Sequence, residues 1–274
     1  MKIKKKSAFL VLLLGICMMG YAYVQLAETN QINQECNAVY EDLSNRVKDH
    51  TTADSPAQQI SDDKQIDIDK WSVAAEEPTE AEKMIYIPGL GVNFDTLKKI
   101  SDDAAAWLYC PDTVIDYPVM KAGDYAYYLY RLPDGTQNAN GSLFIDFNCA
   151  PDFSDQLTVI YGHHMRSKMM FGSLVEYKSQ RYYDEHPFMY LYTEENNYRI
   201  DLLYGCVIGA GQWRERAFMY KENVDALIAY AAHNTTFESN AVYAEGERIV
   251  AMSTCSYEFE NARYVVIGIL REEY

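Results

Sequence analysis

Residues 249–255 read IVAMSTC and residues 263–269 read RYVVIGI, with the polar loop 256–262 between them. Apolar and β-branched side chains dominate both runs, which is typical of buried strands. Consecutive strands joined by a short loop usually lie side by side. The sequence therefore predicts that Cys255, at the end of one strand, and Arg263, at the start of the next, meet at the same end of a sheet.

This juxtaposition has a chemical reading. A nearby cation favours the thiolate form of cysteine, which is the nucleophile. A guanidinium cannot lose its proton, so it also donates hydrogen bonds to a carbonyl or an oxyanion. The alternative from this segment alone is a structural Cys255 beside a surface Arg263.

A histidine forms the second candidate element. Residues 159–165 read VIYGHHM, an apolar strand that runs into a loop at Gly162 and His163. Loops at strand ends often present reactive groups, and histidine transfers protons near neutral pH. Successive strand residues point to opposite faces, so we expect only one of His163 and His164 to face Cys255. A purely structural histidine is the alternative.

The rest of the chain supplies the scaffold. Short β-rich runs separated by turn residues alternate with a few helical patterns. About eight such strands with added helices predict a mainly β fold, a closed or nearly closed barrel. The strands are expected at 106–109, 114–120, 141–145, 158–161, 188–193, 198–208, 248–253 and 264–270, and the helices at 32–47, 93–105, 167–177 and 222–233.

Composition and charge exclude several classes of protein. The 274 residues are 49% hydrophobic, which is enough for a sizeable core and unlike a disordered, collagen-like or small disulfide-rich chain. The net charge of −16 argues against a nucleic-acid partner, because an acidic chain repels phosphate.

The charge pattern predicts an N-terminal membrane anchor. Four lysines lie within residues 1–6, the run 7–27 is uncharged, and all acidic residues follow it. Such a run spans a bilayer, and its basic flank predicts a cytoplasmic N-terminus and an extracellular remainder. A signal peptide cleaved near Gly20-Tyr21-Ala22 is the alternative. Residues 28–83 then form an acidic extracellular stalk with one helix, and residues 84–274 the catalytic domain.

Cysteine spacing predicts neither a metal site nor a disulfide framework. Five cysteines follow the anchor, and an odd number leaves at least one thiol unpaired. No Cys or His cluster has zinc-ligand spacing, and the acidic residues near 62–69 lack the glycine and the final glutamate of an EF-hand. We expect no metal and no cofactor.

Taken together, these segments resemble the sortases, membrane-anchored cysteine transpeptidases of Gram-positive bacteria. The resemblance covers about residues 94–270, and several segments look most like class B. Ala251 departs from the family, because many members have Thr at that position. The segments that carry the resemblance are YGHHM at 161–165, STCSY at 253–257, Arg263, DYPV at 116–119, GSLFID at 141–146 and the helical pattern 222–233.

The resemblance implies an eight-stranded sortase barrel with N-terminal helices and a helix between the sixth and seventh strands. It implies that Cys255 attacks the carbonyl after Thr in a C-terminal sorting motif of an exported surface protein. His163 then acts as general acid and base, and Arg263 stabilises the oxyanion. Ser253, Thr254 and Leu129 are the implied substrate-binding residues.

The implied partners are surface proteins with an Asn-Pro-Gln-Thr-Asn or Ser/Asn-Pro-x-Thr-Gly motif, and an amino group of peptidoglycan or its precursor. Two alternatives stay open from the sequence. A Cys–His peptidase would use the same residues with water as acceptor. A non-catalytic, membrane-tethered surface domain would leave Cys255 without a role.

Overall fold

The computed structural model describes residues 2–48, 90–121, 123–215 and 224–272. Within these residues the predicted eight-stranded fold is confirmed, and the strands close into a barrel in the order β1-β2-β3-β4-β7-β8-β6-β5. The strands are β1 (Ala104–Tyr109), β2 (Asp116–Lys121), β3 (Leu143–Ile145), β4 (Leu157–Tyr161), β5 (Phe188–Tyr192), β6 (Asn197–Gly209), β7 (Ile249–Cys255) and β8 (Ala262–Glu272).

Strand β7 lies at the centre of the site-bearing wall. It pairs in parallel with β4 and antiparallel with β8, and every residue from Ile249 to Thr254 is buried. A strand covered on both faces needs a continuous apolar run rather than alternation, and residues 249–252 provide it. Because β4 and β7 are parallel, both end at the same rim of the barrel.

The helices lie around the barrel. As predicted, a helix lies between the sixth and seventh strands, where α5 follows the short α4. The helices are α1 (Lys2–Val47), α2 (Phe94–Ile100), α3 (Gln180–Glu185), α4 (Ala210–Arg214) and α5 (Val224–His233), with a 3-10 helix at Leu174–Lys178. The predicted start of α5 near Glu222 lies outside the described residues.

Two helical predictions differ from the structure. Helix α2 begins at its predicted cap, where the Asn93 side chain accepts from the Thr96 N–H at 2.9 Å, but it ends at Ile100. The backbone becomes extended at Ser101, and strand β1 begins at Ala104. The helix predicted over 167–177 is limited to the 3-10 turn, because Lys168 and Met170 adopt positive φ angles that no right-handed helix accommodates.

Helix α1 joins the predicted anchor to the barrel. The C-terminal part of α1, which includes the predicted helix 32–47, buries one face. The residues of that face recur every three or four positions: Cys36, Tyr40, Leu43 and Val47. Within the described residues, α1 is also the one helix long and apolar enough, by length and composition, to cross a membrane. The division into tail, anchor, stalk and catalytic domain stays a prediction, and residues 49–89 of the stalk lie outside the described residues.

Candidate active site

The barrel rim formed by β4, β7 and β8 brings the predicted residues together. Cys255 and Arg263 are register partners across β7 and β8. Tyr161 pairs with Ser253 across β4 and β7, so the chain beyond β4 places His163 beside the end of β7. Two hydrogen bonds lock this junction: the Gly162 N–H donates to the Ser253 carbonyl at 3.2 Å, and the Thr254 hydroxyl donates to the Gly162 carbonyl at 2.9 Å.

A cavity of about 410 Å³ opens at this rim. All six residues singled out in the sequence line it: Leu129, His163, Ser253, Thr254, Cys255 and Arg263. The walls are mostly apolar or aromatic, which is typical of a substrate pocket with a few polar groups. Sequence reasoning gave no role to the other lining residues, although Phe144, Tyr161 and Gly162 lie in segments that carry the family resemblance. These other residues are Tyr125, Phe144, Tyr161, Gly162, Ala210, Trp213 and Arg214.

Cys255 is half-buried at the end of β7 and is not in a disulfide. Its backbone carbonyl accepts a hydrogen bond from Nδ1 of His164 at 2.7 Å, and the His164 ring lies 5.0 Å from the Tyr257 ring. His163 lines the cavity, whereas His164 holds the backbone of the cysteine. The two adjacent histidines therefore differ in role, because His163 lines the cavity with Cys255 and His164 bonds the Cys255 backbone.

The tautomer of His163 follows from its hydrogen bond. Its Nε2 lies 2.7 Å from the carbonyl oxygen of Leu129. A carbonyl oxygen only accepts, so Nε2 carries the proton in the neutral ring and Nδ1 has the lone pair. The backbone of Leu129 thus leaves one defined ring nitrogen for proton transfer.

Two guanidinium groups face the cavity. Arg263 is half-buried, and its Nη1 donates to the carbonyl of Ala262 at 3.0 Å, which orients the group. Arg214 is exposed on α4, and its guanidinium lies 5.5 Å from the centre of the Tyr125 ring. Arg263 is the register partner of Cys255, so its charge is the one placed to favour negative charge that develops beside the thiol.

An ionic cluster fixes the loop after Cys255. Lys178 lies 3.1 Å from the Ser256 hydroxyl and pairs with Glu258, which also accepts a hydrogen bond from Ser256. Burial raises the pKa of Glu258, but the hydrogen bonds from Lys178 and Ser256 outweigh it and lower the pKa to about 2. Glu258 is therefore ionised at neutral pH and anchors the loop.

The tyrosines of the cavity wall are not candidate bases. The Tyr161 hydroxyl donates to the buried carboxylate of Asp146 at 3.0 Å, and burial together with that charge raises its pKa far above the ordinary value. Burial and Asp146 likewise raise the pKa of Tyr125 to about 12. Both stay protonated at neutral pH.

Within the described residues, no group of three or more His, Cys, Asp or Glu side chains could hold a metal ion.

Two curated proteins similar to this chain are both sortases. Sortase B of Listeria monocytogenes is 29% identical over 178 residues, which cover 64% of this chain and 72% of that protein. Sortase B of Staphylococcus aureus is 23% identical over 178 residues, covering 64% of this chain and 73% of that protein. No family model matches the chain.

Solved structures agree in fold. Sortase B of Clostridium perfringens superposes with a TM-score of 0.60 at 25% identity, over 65% of this chain and 99% of that one. A complex of Staphylococcus aureus sortase B with a substrate gives 0.61 at 23% identity, over 66% and 85%. A sortase B complexed with triglycine gives 0.58 at 23% identity, over 66% and 86%. The barrel fold and these similarities in sequence and structure together show that the chain is a sortase B-like protein.

Proposed function

We propose that this chain is a cysteine transpeptidase that cleaves a C-terminal sorting motif after Thr and joins the exported protein to an amino group of peptidoglycan or its precursor. The observation that supports it best is the meeting of Cys255, His163 and Arg263 at one cavity. The motif is of the Asn-Pro-Gln-Thr-Asn or Ser/Asn-Pro-x-Thr-Gly type.

In the first step the Cys255 thiolate attacks the Thr carbonyl carbon. A C–S bond forms, and negative charge develops on the carbonyl oxygen, which Arg263 stabilises. The C–N bond of the scissile peptide then breaks, and the imidazolium form of His163, paired with the starting thiolate, gives its Nδ1 proton to the departing amine and becomes the neutral ring. The product is a thioester on Cys255.

In the second step the acceptor amine attacks the thioester carbon. The new C–N bond forms, the C–S bond breaks, and the amine proton passes to His163. The hydrogen bond between Nε2 and the Leu129 carbonyl suits both steps, because it assigns the transfers to Nδ1. Both steps balance in atoms and charge among these groups and the two substrates.

The cavity walls suggest how the motif is held. Leu129 presents an apolar side chain, and Ser253 lines the same cavity two residues before Cys255, so we assign both to the groove that receives the motif. The Thr254 hydroxyl is already used by Gly162, so we assign Thr254 to the shape of the groove rather than to a substrate hydrogen bond. The complexes of related sortases with a substrate and with triglycine support a peptide-like donor and an amine acceptor.

We also propose the cellular location. The uncharged run 7–27 would anchor the chain in the cytoplasmic membrane, with residues 1–6 inside and the catalytic domain outside. The apolar N-terminal helix and the basic residues before it support this orientation. Partners would then be surface proteins in export and cell-wall precursors at the outer face.

The test is a product analysis on the full chain in detergent micelles. Peptides with each sorting motif are incubated with and without an amine donor, and mass spectrometry follows Cys255 and the products. We expect a Cys255-linked acyl-enzyme that passes to the amine, and none with Cys255→Ala or His163→Ala. Cys110→Ala, which removes a buried thiol that does not line the cavity, is the matched control.

Three outcomes would contradict the proposal. Cleavage that ignores every amine in the panel would make the protein a Cys–His peptidase. Absence of acylation of folded protein by every motif would reject the transpeptidase assignment, and unchanged function of Cys255→Ala in cells would favour a non-catalytic surface domain.

A further inference from the structure

The C-terminal part of α1 is bonded to the chain between β2 and β3. The hydroxyl of Tyr40 lies 3.1 Å from the Gly141 carbonyl oxygen and 3.1 Å from Oγ of Ser142. Burial raises the pKa of Tyr40 well above its ordinary value, so the hydroxyl keeps its proton and donates. Nearby, the Asn138 amide donates to the Ile32 carbonyl at 3.3 Å.

Gly141 and Ser142 in turn lie directly against the peptide of Leu129. Gly141 has φ +61°, and a Cβ at this position would approach the carbonyl oxygens of Leu129 and Tyr128 to 2.6 Å. The Ser142 N–H donates to the Tyr128 carbonyl at 2.9 Å, and the Ser142 hydroxyl donates to the Arg131 carbonyl at 2.8 Å. The pair 141–142 is therefore enclosed between α1 and the backbone that precedes and follows Leu129.

The carbonyl of Leu129 is the group that accepts from Nε2 of His163. We propose that Tyr40 is a positioning residue for His163: its hydroxyl holds Gly141 and Ser142 against the Leu129 peptide, whose carbonyl sets the tautomer of the imidazole. The importance of that tautomer for turnover rests on the proposed function; the contact chain itself does not.

The hydroxyl, rather than the ring, is the part of Tyr40 that this proposal uses. The ring packs edge-on against Tyr117 at 5.1 Å, within the buried face of α1. Tyr40→Phe keeps that packing and removes only the hydrogen bonds. A matched control is Tyr183→Phe on α3, which removes another buried tyrosine hydroxyl that donates to Ser239 at 2.9 Å and accepts from the Asn240 N–H at 3.2 Å.

The experiment uses the full chain in detergent micelles, labelled with ¹⁵N-histidine. His163 is assigned by the signal lost in His163→Gln, and the ring nitrogen shifts of the neutral form report the tautomer. In wild type we expect one tautomer with the proton on Nε2. In Tyr40→Phe the two nitrogen shifts should move toward each other as the second tautomer becomes populated, while Tyr183→Phe keeps the wild-type shifts.

A kinetic arm accompanies the spectra. Loss of the Tyr40 hydroxyl, which is shared between Gly141 and Ser142, should lower kcat/KM for a sorting-motif peptide about two- to tenfold in Tyr40→Phe, whereas kcat/KM should be unchanged in Tyr183→Phe. Wild-type His163 shifts in Tyr40→Phe, or the same change in both variants, would overturn the proposal. Because the spectra need no turnover, a protein that fails to process any peptide would reject the proposed function and leave this test intact.

Discussion

A single backbone carbonyl, that of Leu129, decides which nitrogen of His163 is free to move a proton. The side chains that do the proposed chemistry are thus oriented by backbone groups: Leu129 for His163, Ala262 for Arg263. Backbone acceptors cannot be removed by substitution, so the two functional side chains are the accessible points for a test.

The first prediction concerns Arg263. Arg263→Lys keeps the charge but loses the planar donor fork, so oxyanion stabilisation should fall and acylation of Cys255 should slow by about 10²–10³-fold. Stopped-flow or quenched mass spectrometry of thioester formation measures this. The control is Arg214→Lys, at the exposed second guanidinium of the cavity. Its acylation rate should stay within about threefold of the wild-type rate. Equal losses in both variants would refute a specific role for Arg263.

Among the site residues, the sequence was sufficient for those in a recognisable local pattern. Cys255, His163 and Arg263 stand at strand ends, and strand ends are visible as the limits of apolar runs. The Leu129 carbonyl was not predictable in its role, because its bond to His163 joins segments far apart in the chain. Trp213 and Arg214 were missed because α4 is too short for a periodic signal.

At the level of elements, the loop between β7 and β8 is held by the ionised Glu258. Its pKa lies near 2 in the fold against an ordinary 4.5. A carboxyl group whose pKa is lower in the folded than in the unfolded chain stabilises the fold at pH values above the unfolded-state pKa. That stabilisation is lost as the pH falls through the folded-state pKa. The loop should therefore loosen between about pH 4.5 and pH 2.

The second prediction follows from that window. At pH 6 the melting temperature of wild type should be higher than that of Glu258→Gln. This difference in melting temperature should shrink as the pH falls from 4.5 toward 2. Glu185→Gln, which removes the surface pair with Arg181, serves as control and should differ little from wild type at pH 6. A difference in melting temperature between wild type and Glu258→Gln that stays constant down to pH 2 would contradict a stabilising role for ionised Glu258.

The third prediction concerns the segment between β2 and β3. Gly141→Ala should cost about 1–3 kcal/mol of unfolding free energy, because it strains a positive φ and presses a methyl group onto the Leu129 carbonyl. Acylation should slow about tenfold to a hundredfold as that carbonyl moves. Urea unfolding and thioester kinetics measure the two effects.

Gly246→Ala is the matched control for that variant. Gly246 has φ +88° and nothing near its missing Cβ, so its substitution brings the backbone strain without the collision. It should lose stability and keep its acylation rate. If both variants acylate at the wild-type rate, contact with Leu129 does not matter for the site.

Strands were predictable at this scale to within a few residues, because buried apolar runs have sharp limits. The helix expected over 167–177 was wrong for a reason the pattern does not contain: Lys168 and Met170 take left-handed conformations. Apolar spacing was compatible with a helix there, but the tertiary course of the chain determined the backbone.

For the whole molecule, the distribution of thiols gives a fourth prediction. Cys36, Cys110, Cys149 and Cys206 are buried, and burial raises the pKa of Cys36 and Cys110. Cys17 lies within the proposed membrane span 7–27, out of reach of a charged reagent. A charged, membrane-impermeant thiol reagent added to intact cells should therefore modify Cys255 and no other cysteine. Mass spectrometry identifies the labelled residue, Cys255→Ala should abolish labelling, and unfolding in urea should expose the buried thiols. Labelling only after cell lysis would contradict the extracellular orientation.

Because α1 is one continuous helix, it also sets the distance between the proposed membrane span and the barrel. At a rise of about 1.5 Å per residue, the helix covers only about 14 Å between the end of the proposed span at residue 27 and the first buried contact at Cys36. If residues 7–27 span the membrane as proposed, the barrel would lie near the lipid headgroups rather than at the end of a long tether. Donor proteins still attached to the bilayer and lipid-borne acceptors would then meet the enzyme by lateral diffusion, a two-dimensional search confined to one leaflet.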